Sequence, residues 1–242
     1  MDNSRYYKRT VVKDELISSI LGETRTLRIY LPPGYNELLS YPVIYCQDGE
    51  QFFNFGRIAT TLTRCILDDG LEPVIVVGVD VDTATRTSEY APEGERHDAY
   101  CRFFAEELLP YVESRYPVRN DRTERILAGD SLGGTVSLHL ALDYRSLFCR
   151  VISLSGAFFD MTRERLRAED DLSWLELYML IGLDETEVKT ERGTFDFVRE
   201  NRAAKELLEN KNTALHYLEK PGKHLWGFWQ GELDAALHYF LG

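Results

Sequence analysis

Cysteine is scarce in this chain: four residues (Cys46, Cys65, Cys101, Cys149) among 242, with no C-x-x-C pair. Such spacing speaks against a zinc ribbon or a disulfide framework and reads as buried thiols in a reducing compartment. Cys46 falls near the site proposed below, but a thiol at the end of an apolar run is read first as core. Positive charge is short as well, since 28 Lys and Arg face 40 Asp and Glu, a formal charge of −12. No basic patch is then available to release counterions, so nucleic acid is not an expected partner and anionic membrane surfaces are disfavoured. Long apolar runs are missing too, none approaching the roughly 18 residues of a membrane-spanning helix. Met1-Asp2-Asn3-Ser4-Arg5 has no apolar signal-peptide core. Low-complexity tracts, internal repeats and linkers are equally lacking, so one domain over 1–242 is expected, in an acidic, soluble, cytoplasmic protein. Nothing in the composition speaks for or against a homo-oligomer.

What is present is an ordinary globular balance, 44% hydrophobic and 28% charged, enough for a sizeable core. Residues 6–13 and Thr26–Leu31 read as strands, the second alternating polar and apolar, and suggest antiparallel strands at one sheet edge. Pro42–Cys46 and Val74–Val79 are continuous apolar runs, the mark of strands buried on both faces of a mainly parallel sheet. Helical patterns at Arg57–Leu67 and Tyr100–Arg115 alternate with them. Further strands are expected at 151–155, 177–181 and 214–218, and helices at 135–144, 197–208 and 233–241. Repeated β–α alternation predicts an α/β fold with helices on both faces of the sheet.

The most informative segment is Ile126-Leu-Ala-Gly-Asp-Ser131-Leu-Gly-Gly134. An apolar run enters G-x-S-x-G and a helix-like segment leaves it, the strand–turn–helix context of a nucleophile elbow. Gly129 and Gly133 fit because a side chain at either would crowd the turn or the helix behind it. A serine hydroxyl needs a base, usually a histidine held by a carboxylate, following in the order Ser, acid, His. Among the downstream histidines, His139 lies too far along the elbow helix, while His216 and His238 fall inside a strand and a helix. His224 follows a strand and the Pro221-Gly222-Lys223 turn, so it should emerge beside the elbow, and it is the candidate base.

The acid should follow the preceding strand, where Asp184, Glu185 and Glu187 stand together. Glu185 is preferred, Asp184 is the alternative and Glu187 the third; spacing does not separate them. Two backbone N–H groups should receive an oxyanion: Leu132, directly after the serine, and Glu50, with Gly49 allowing close approach. Asp130 points away from the hydroxyl and is read as structural. Arg86, Glu89 and His97 lie in a segment where substrate contacts are common, without an assigned role. Trp226, Phe228 and Trp229 fit either a pocket wall or core packing.

Several landmarks coincide: Leu31-Pro-Pro-Gly-Tyr35, Tyr41-Pro-Val-Ile-Tyr45 ending in Gln47-Asp48-Gly49, Glu107-Leu-Leu-Pro-Tyr-Val112, Gly129–Gly134 and Gly222-Lys-His-Leu-Trp226. Together these resemble the Putative esterase (esterase D-like, enterochelin esterase-like) family of α/β-hydrolases, from about Ser18 to Leu241. The resemblance implies an α/β-hydrolase fold and hydrolysis of a small-molecule carboxylic ester through an acyl-enzyme, with no cofactor and no metal. It also implies a triad of Ser131, His224 and Glu185 or its neighbour, with oxyanion donors at Leu132 and Glu50. An acyltransferase on the same triad is the second expectation, and a non-catalytic binding protein the third. Asp48-Gly49 stands where many hydrolases have His-Gly, and no insertion is long enough for a large lid, which suggests an open cleft.

Overall fold

The computed structural model describes residues 7–242. Its main sheet has eight strands in the order β1-β2-β4-β3-β5-β6-β7-β10. These are β1 (Thr10–Ser18), β2 (Glu23–Leu31), β3 (Val43–Cys46), β4 (Ile75–Val79), β5 (Arg125–Asp130), β6 (Arg150–Leu154), β7 (Glu176–Gly182) and β10 (Ala214–Lys220). The two N-terminal strands are antiparallel, with Thr10 opposite Leu31 and Ser18 opposite Glu23, and β2 is antiparallel to β4. From β4 onward every pairing is parallel. β1 is paired from Thr10 to Ser18, later than expected, and the start of the predicted 6–13 strand lies outside the described residues.

Period-2 alternation sorts each parallel strand between two cores. Val43, Tyr45 and Leu127 face one apolar cluster; Ile44, Cys46, Ile126 and Ala128 face the other. The first is covered by α4 (His97–Arg102), α5 (Leu109–Arg115), α6 (Leu132–Asp143) and α8 (Phe197–Glu209); the second by α2 (Ile58–Asp68) and α9 (Trp226–Leu241). Continuous apolar runs were therefore a faithful sign of burial on both faces.

Several elements depart from expectation. Between α4 and α5 the predicted single helix widens to a π-helical turn, Phe103–Leu108. Pro110 has no N–H to continue the regular ladder there. Helix α9 begins at Trp226, seven residues before the expected Leu233, because aromatic packing outweighs the low helix propensity of Gly227 and Gly231. Short helices α1 (Gly49–Asn54), α3 (Thr83–Tyr90) and α7 (Asp160–Ala168) occupy segments for which no helix was expected. In α3 the threonine-rich start is held by Asp82, whose side chain accepts from the Ala84 N–H. A small hairpin, β8 (Val188–Thr190) and β9 (Gly193–Phe195), follows β7. No helix among the described residues is long and apolar enough to cross a membrane.

Candidate active site

Because β3, β5, β6, β7 and β10 run parallel, the segments after them converge at one sheet edge. Ser131 follows β5 directly, with φ 53° and ψ −123°, a backbone region costly for a residue with a Cβ. Its N–H donates to Leu154 O at 2.9 Å and its carbonyl accepts from Ala157 N–H at 3.1 Å, so neighbours over-determine the strained turn. Gly129 is required by contact: a Cβ there would lie 2.1 Å from the Gly133 carbonyl carbon. At Gly133 the added Cβ would meet the Asp48 carboxylate at 3.0 Å, a milder conflict.

His224 Nε2 stands 3.0 Å from Ser131 Oγ, and His224 Nδ1 stands 2.6 Å from Glu185 Oε2. A carboxylate only accepts, so the Nδ1–H donates to Glu185 and the Nε2 lone pair faces the hydroxyl. Glu185 is fully buried, whereas Asp184 and Glu187 are exposed. Its second oxygen, Oε1, accepts from Ser155 Oγ–H at 2.6 Å and from the Gly182 N–H at 3.0 Å. Ser155 in turn accepts from the Trp229 indole N–H at 2.9 Å. The imidazole is held between rings, 4.4 Å from the Phe197 centroid and edge-on to Trp229 at 4.9 Å.

Leu132 is the first residue of α6, so its N–H has no intrahelical acceptor. Glu50 lies in the first turn of α1, and its amide is likewise free of a backbone partner among the described residues. The two helix starts adjoin, since Gly133 packs against Gln47 and Asp48. Gly49 leaves no room for a side chain, a Cβ there falling 2.5 Å from the Gly78 carbonyl carbon. The Glu50 side chain turns away to Arg28 at 3.0 Å.

Beneath this corner lies a polar cluster. Asp48 takes two bonds from Arg86, Nε at 2.6 Å and Nη2 at 2.8 Å, and its N–H donates to Tyr90 Oη. Asp130 is buried, with no hydrogen-bond partner for Oδ1 among the described residues. Burial, then the Asp48 charge, push its carboxyl up to about 7, with Arg86 partly offsetting them. Burial and then Asp130 push the Cys46 thiol well above its ordinary value, which suits a core residue and not a nucleophile.

The remaining sequence candidates are dispersed. Burial, followed by the nearby His97 and Arg165, pulls His139 down to about 3, and the ring meets Thr162 Oγ1 at 3.1 Å. His216 stacks on Tyr178 and His238 pairs with Asp234. Glu89 is buried on Arg25, and His97 Nδ1 donates to the Glu89 carbonyl. Arg86 alone of its trio reaches the cavity above Ser131, a space of about 250 Å³ walled also by Thr83, Thr87, Phe159 and Phe197. Trp226 packs on Phe52 and donates to Gln51 Oε1 at 2.9 Å, while Phe228 covers Gly222. Sequence reasoning missed Ser155 and the Asp48–Arg86 pair. A polar Ser153-Leu-Ser155 alternation at the end of a buried strand was the available signal for the first.

The strand order, the parallel register and the helices on both faces define an α/β-hydrolase fold. A ferulic acid esterase superposes with a TM-score of 0.83 at 20% identity, covering 97% of this chain and 98% of its own. The enterobactin esterase FES from Shigella flexneri gives 0.82 at 22% identity over 95% of this chain, which spans 59% of that protein. The chain belongs to the Putative esterase family, matched over residues 18–240, and is a carboxylic ester hydrolase. Uncharacterized protein YjcH of Bacillus subtilis (strain 168) is 38% identical over 234 residues, 96% of this chain and 98% of that one.

Proposed function

We propose that the chain hydrolyses small-molecule carboxylic esters through an acyl-enzyme on Ser131. The observation that carries this is the continuous line Ser131 Oγ, His224 Nε2 at 3.0 Å, His224 Nδ1, Glu185 Oε2 at 2.6 Å. Ser131 Oγ attacks the carbonyl carbon while His224 Nε2 takes its proton. The C=O electrons move to oxygen, and the Leu132 and Glu50 N–H groups stabilise that oxyanion, aided by the α6 N-terminus. The carboxylate of Glu185 holds the ring in the useful tautomer and balances the imidazolium. As the oxyanion collapses, His224 gives its proton to the departing alkoxide and the alcohol leaves. Water then enters, loses a proton to His224 and attacks the acyl carbon; collapse releases the acid and returns the proton to Ser131.

Intact-mass analysis after a fluorophosphonate probe tests the reading. One adduct per chain is expected on the wild type and none on Ser131→Ala, with p-nitrophenyl acetate turnover abolished in the variant. An unlabelled wild type, or equal labelling and turnover of Ser131→Ala, refutes it.

A further inference from the structure

The cavity over Ser131 has a neighbour of about 160 Å³ that is not needed for the chemistry described above. The two share Leu132, Ala157, Phe159 and Arg192 as walls. In the second space Pro92, Met161 and Phe195 continue the apolar wall begun by Leu132, Ala157 and Phe159, and Glu93, Asp160 and Thr162 form its polar side. Phe159 stacks on Phe195 at 4.3 Å and meets Phe197 edge-on, so one aromatic wall runs through both spaces. Arg192, from the β8–β9 turn, forms an ion pair with Glu93 on the loop between α3 and α4. The pair ties the β8–β9 turn to the loop between α3 and α4, and both side chains are partly exposed.

We infer that the second space is an acyl subsite for medium-length apolar chains, and that Arg192 and Glu93 restrict entry to it. The inference rests on the role proposed for Ser131. Direction follows from where the proton goes: the departing alcohol must lie at His224, yet His224 is not among the residues lining either cavity. The acyl side of the ester therefore points into the first cavity, and an acyl group outgrowing it meets Arg192. With Arg192 in place, a longer apolar chain must either stop short or bury itself against a charged pair that would lose water. With the pair removed, the chain continues along the Phe159–Phe195 wall.

The test is the ratio of kcat/KM for p-nitrophenyl octanoate to that for p-nitrophenyl acetate. Each methylene transferred from water to an apolar wall is worth about fourfold. Two such groups reaching the second space should raise the ratio about 15-fold in Arg192→Ala. Glu93→Gln, which frees Arg192 without removing it, should shift the ratio in the same direction by less. A ratio within twofold of wild type in both variants, including equal loss on both esters, overturns the subsite, as does a fall. Octanoate affinity relative to acetate, measured by calorimetry, reads the same subsite without turnover and should rise in parallel in Arg192→Ala. If the wild type hydrolyses neither ester, Ser131's role fails, and the affinity ratio still decides whether the subsite exists.

Discussion

Replacing Glu185 by Gln changes one oxygen to an NH₂ group and leaves the volume alone, so its effect can be worked out from the hydrogen bonds. Oε1 accepts two bonds, from Ser155 Oγ–H and from the Gly182 N–H, and Oε2 accepts one from His224 Nδ1. An amide has a single oxygen. If that oxygen keeps the Oε1 place, the NH₂ faces Nδ1, which must then become an acceptor. The ring proton moves to Nε2 and the lone pair facing Ser131 is lost. If the amide flips, Nδ1 keeps its proton, but the Gly182 N–H is left pointing at another donor. Ser155 can rotate its hydroxyl; a backbone N–H cannot.

The flipped state leaves one buried donor unsatisfied, at about 1–3 kcal/mol. Loss of the charge-assisted bond to the imidazolium costs about 1.5–3 kcal/mol more. The sum, about 2.5–6 kcal/mol in the transition state, corresponds to a fall in kcat of about 10² to 10⁴. Asp184→Asn, on an exposed side chain, should stay within about threefold. Steady-state turnover of p-nitrophenyl acetate measures both, with circular dichroism to confirm folding. A Glu185→Gln enzyme retaining more than a tenth of wild-type kcat would refute the assignment of Glu185, and a larger loss at Asp184 would move the acid there.

Three further substitutions probe the surroundings. Asp130 carries a folded value of about 7, above its unfolded value near 3.9, so the folded state binds more protons between those limits and loses stability as pH rises through them. Asp130→Asn should therefore gain roughly 1–3 kcal/mol more over wild type at pH 8 than at pH 5 in urea unfolding, and equal gains at both pH values would contradict this account. At the proposed oxyanion position, Glu50→Ala keeps the N–H and should alter kcat less than about threefold, whereas Gly49→Ala forces a Cβ onto Gly78 and should lower kcat at least about tenfold and stability by about 1–3 kcal/mol. Equal losses at both positions would place the side chain of Glu50, not its amide, in the reaction.

The parallel strands were legible because their signal is local: a strand buried on both faces must be apolar throughout, as Val43–Cys46 and Ile75–Val79 are. The turn at Ser131 was legible because glycine is needed where backbones touch, and Gly129 does touch Gly133. Helix α3 was not legible, since Thr83–Tyr90 has no apolar period strong enough to outweigh its threonines. The choice among Asp184, Glu185 and Glu187 was equally closed to spacing. What separates them is burial, which depends on Ser155 at the end of the neighbouring β6 as well as on the Gly182 N–H three residues before Glu185. Arg86 could not be connected to Asp48 for the same reason, being 38 residues distant.

Sheet order alone would keep the three side chains apart. Ser131 follows β5, Glu185 follows β7 and His224 follows β10, with β6 between the first two. At about 4.8 Å per strand the histidine, though last in the sheet, must still reach the serine three strands away. The loop after β10 therefore folds back across the end of β7. Two glycines permit it: a Cβ at Gly182 would lie 2.5 Å from the Gly222 carbonyl oxygen, and one at Gly222 would strike the Phe228 ring at 2.2 Å. The Leu183 N–H donates to Lys220 O and the Asp184 N–H to Gly222 O, fixing the returning loop to the segment that carries Glu185. Glu185 and His224 are thus mounted on one hydrogen-bonded unit, and Ser155, at the end of the intervening β6, ties that unit to the strand beside Ser131. The alignment of imidazole and hydroxyl is then set by backbone contacts before any substrate binds, which is the preorganisation that the acyl transfer proposed for Ser131 requires.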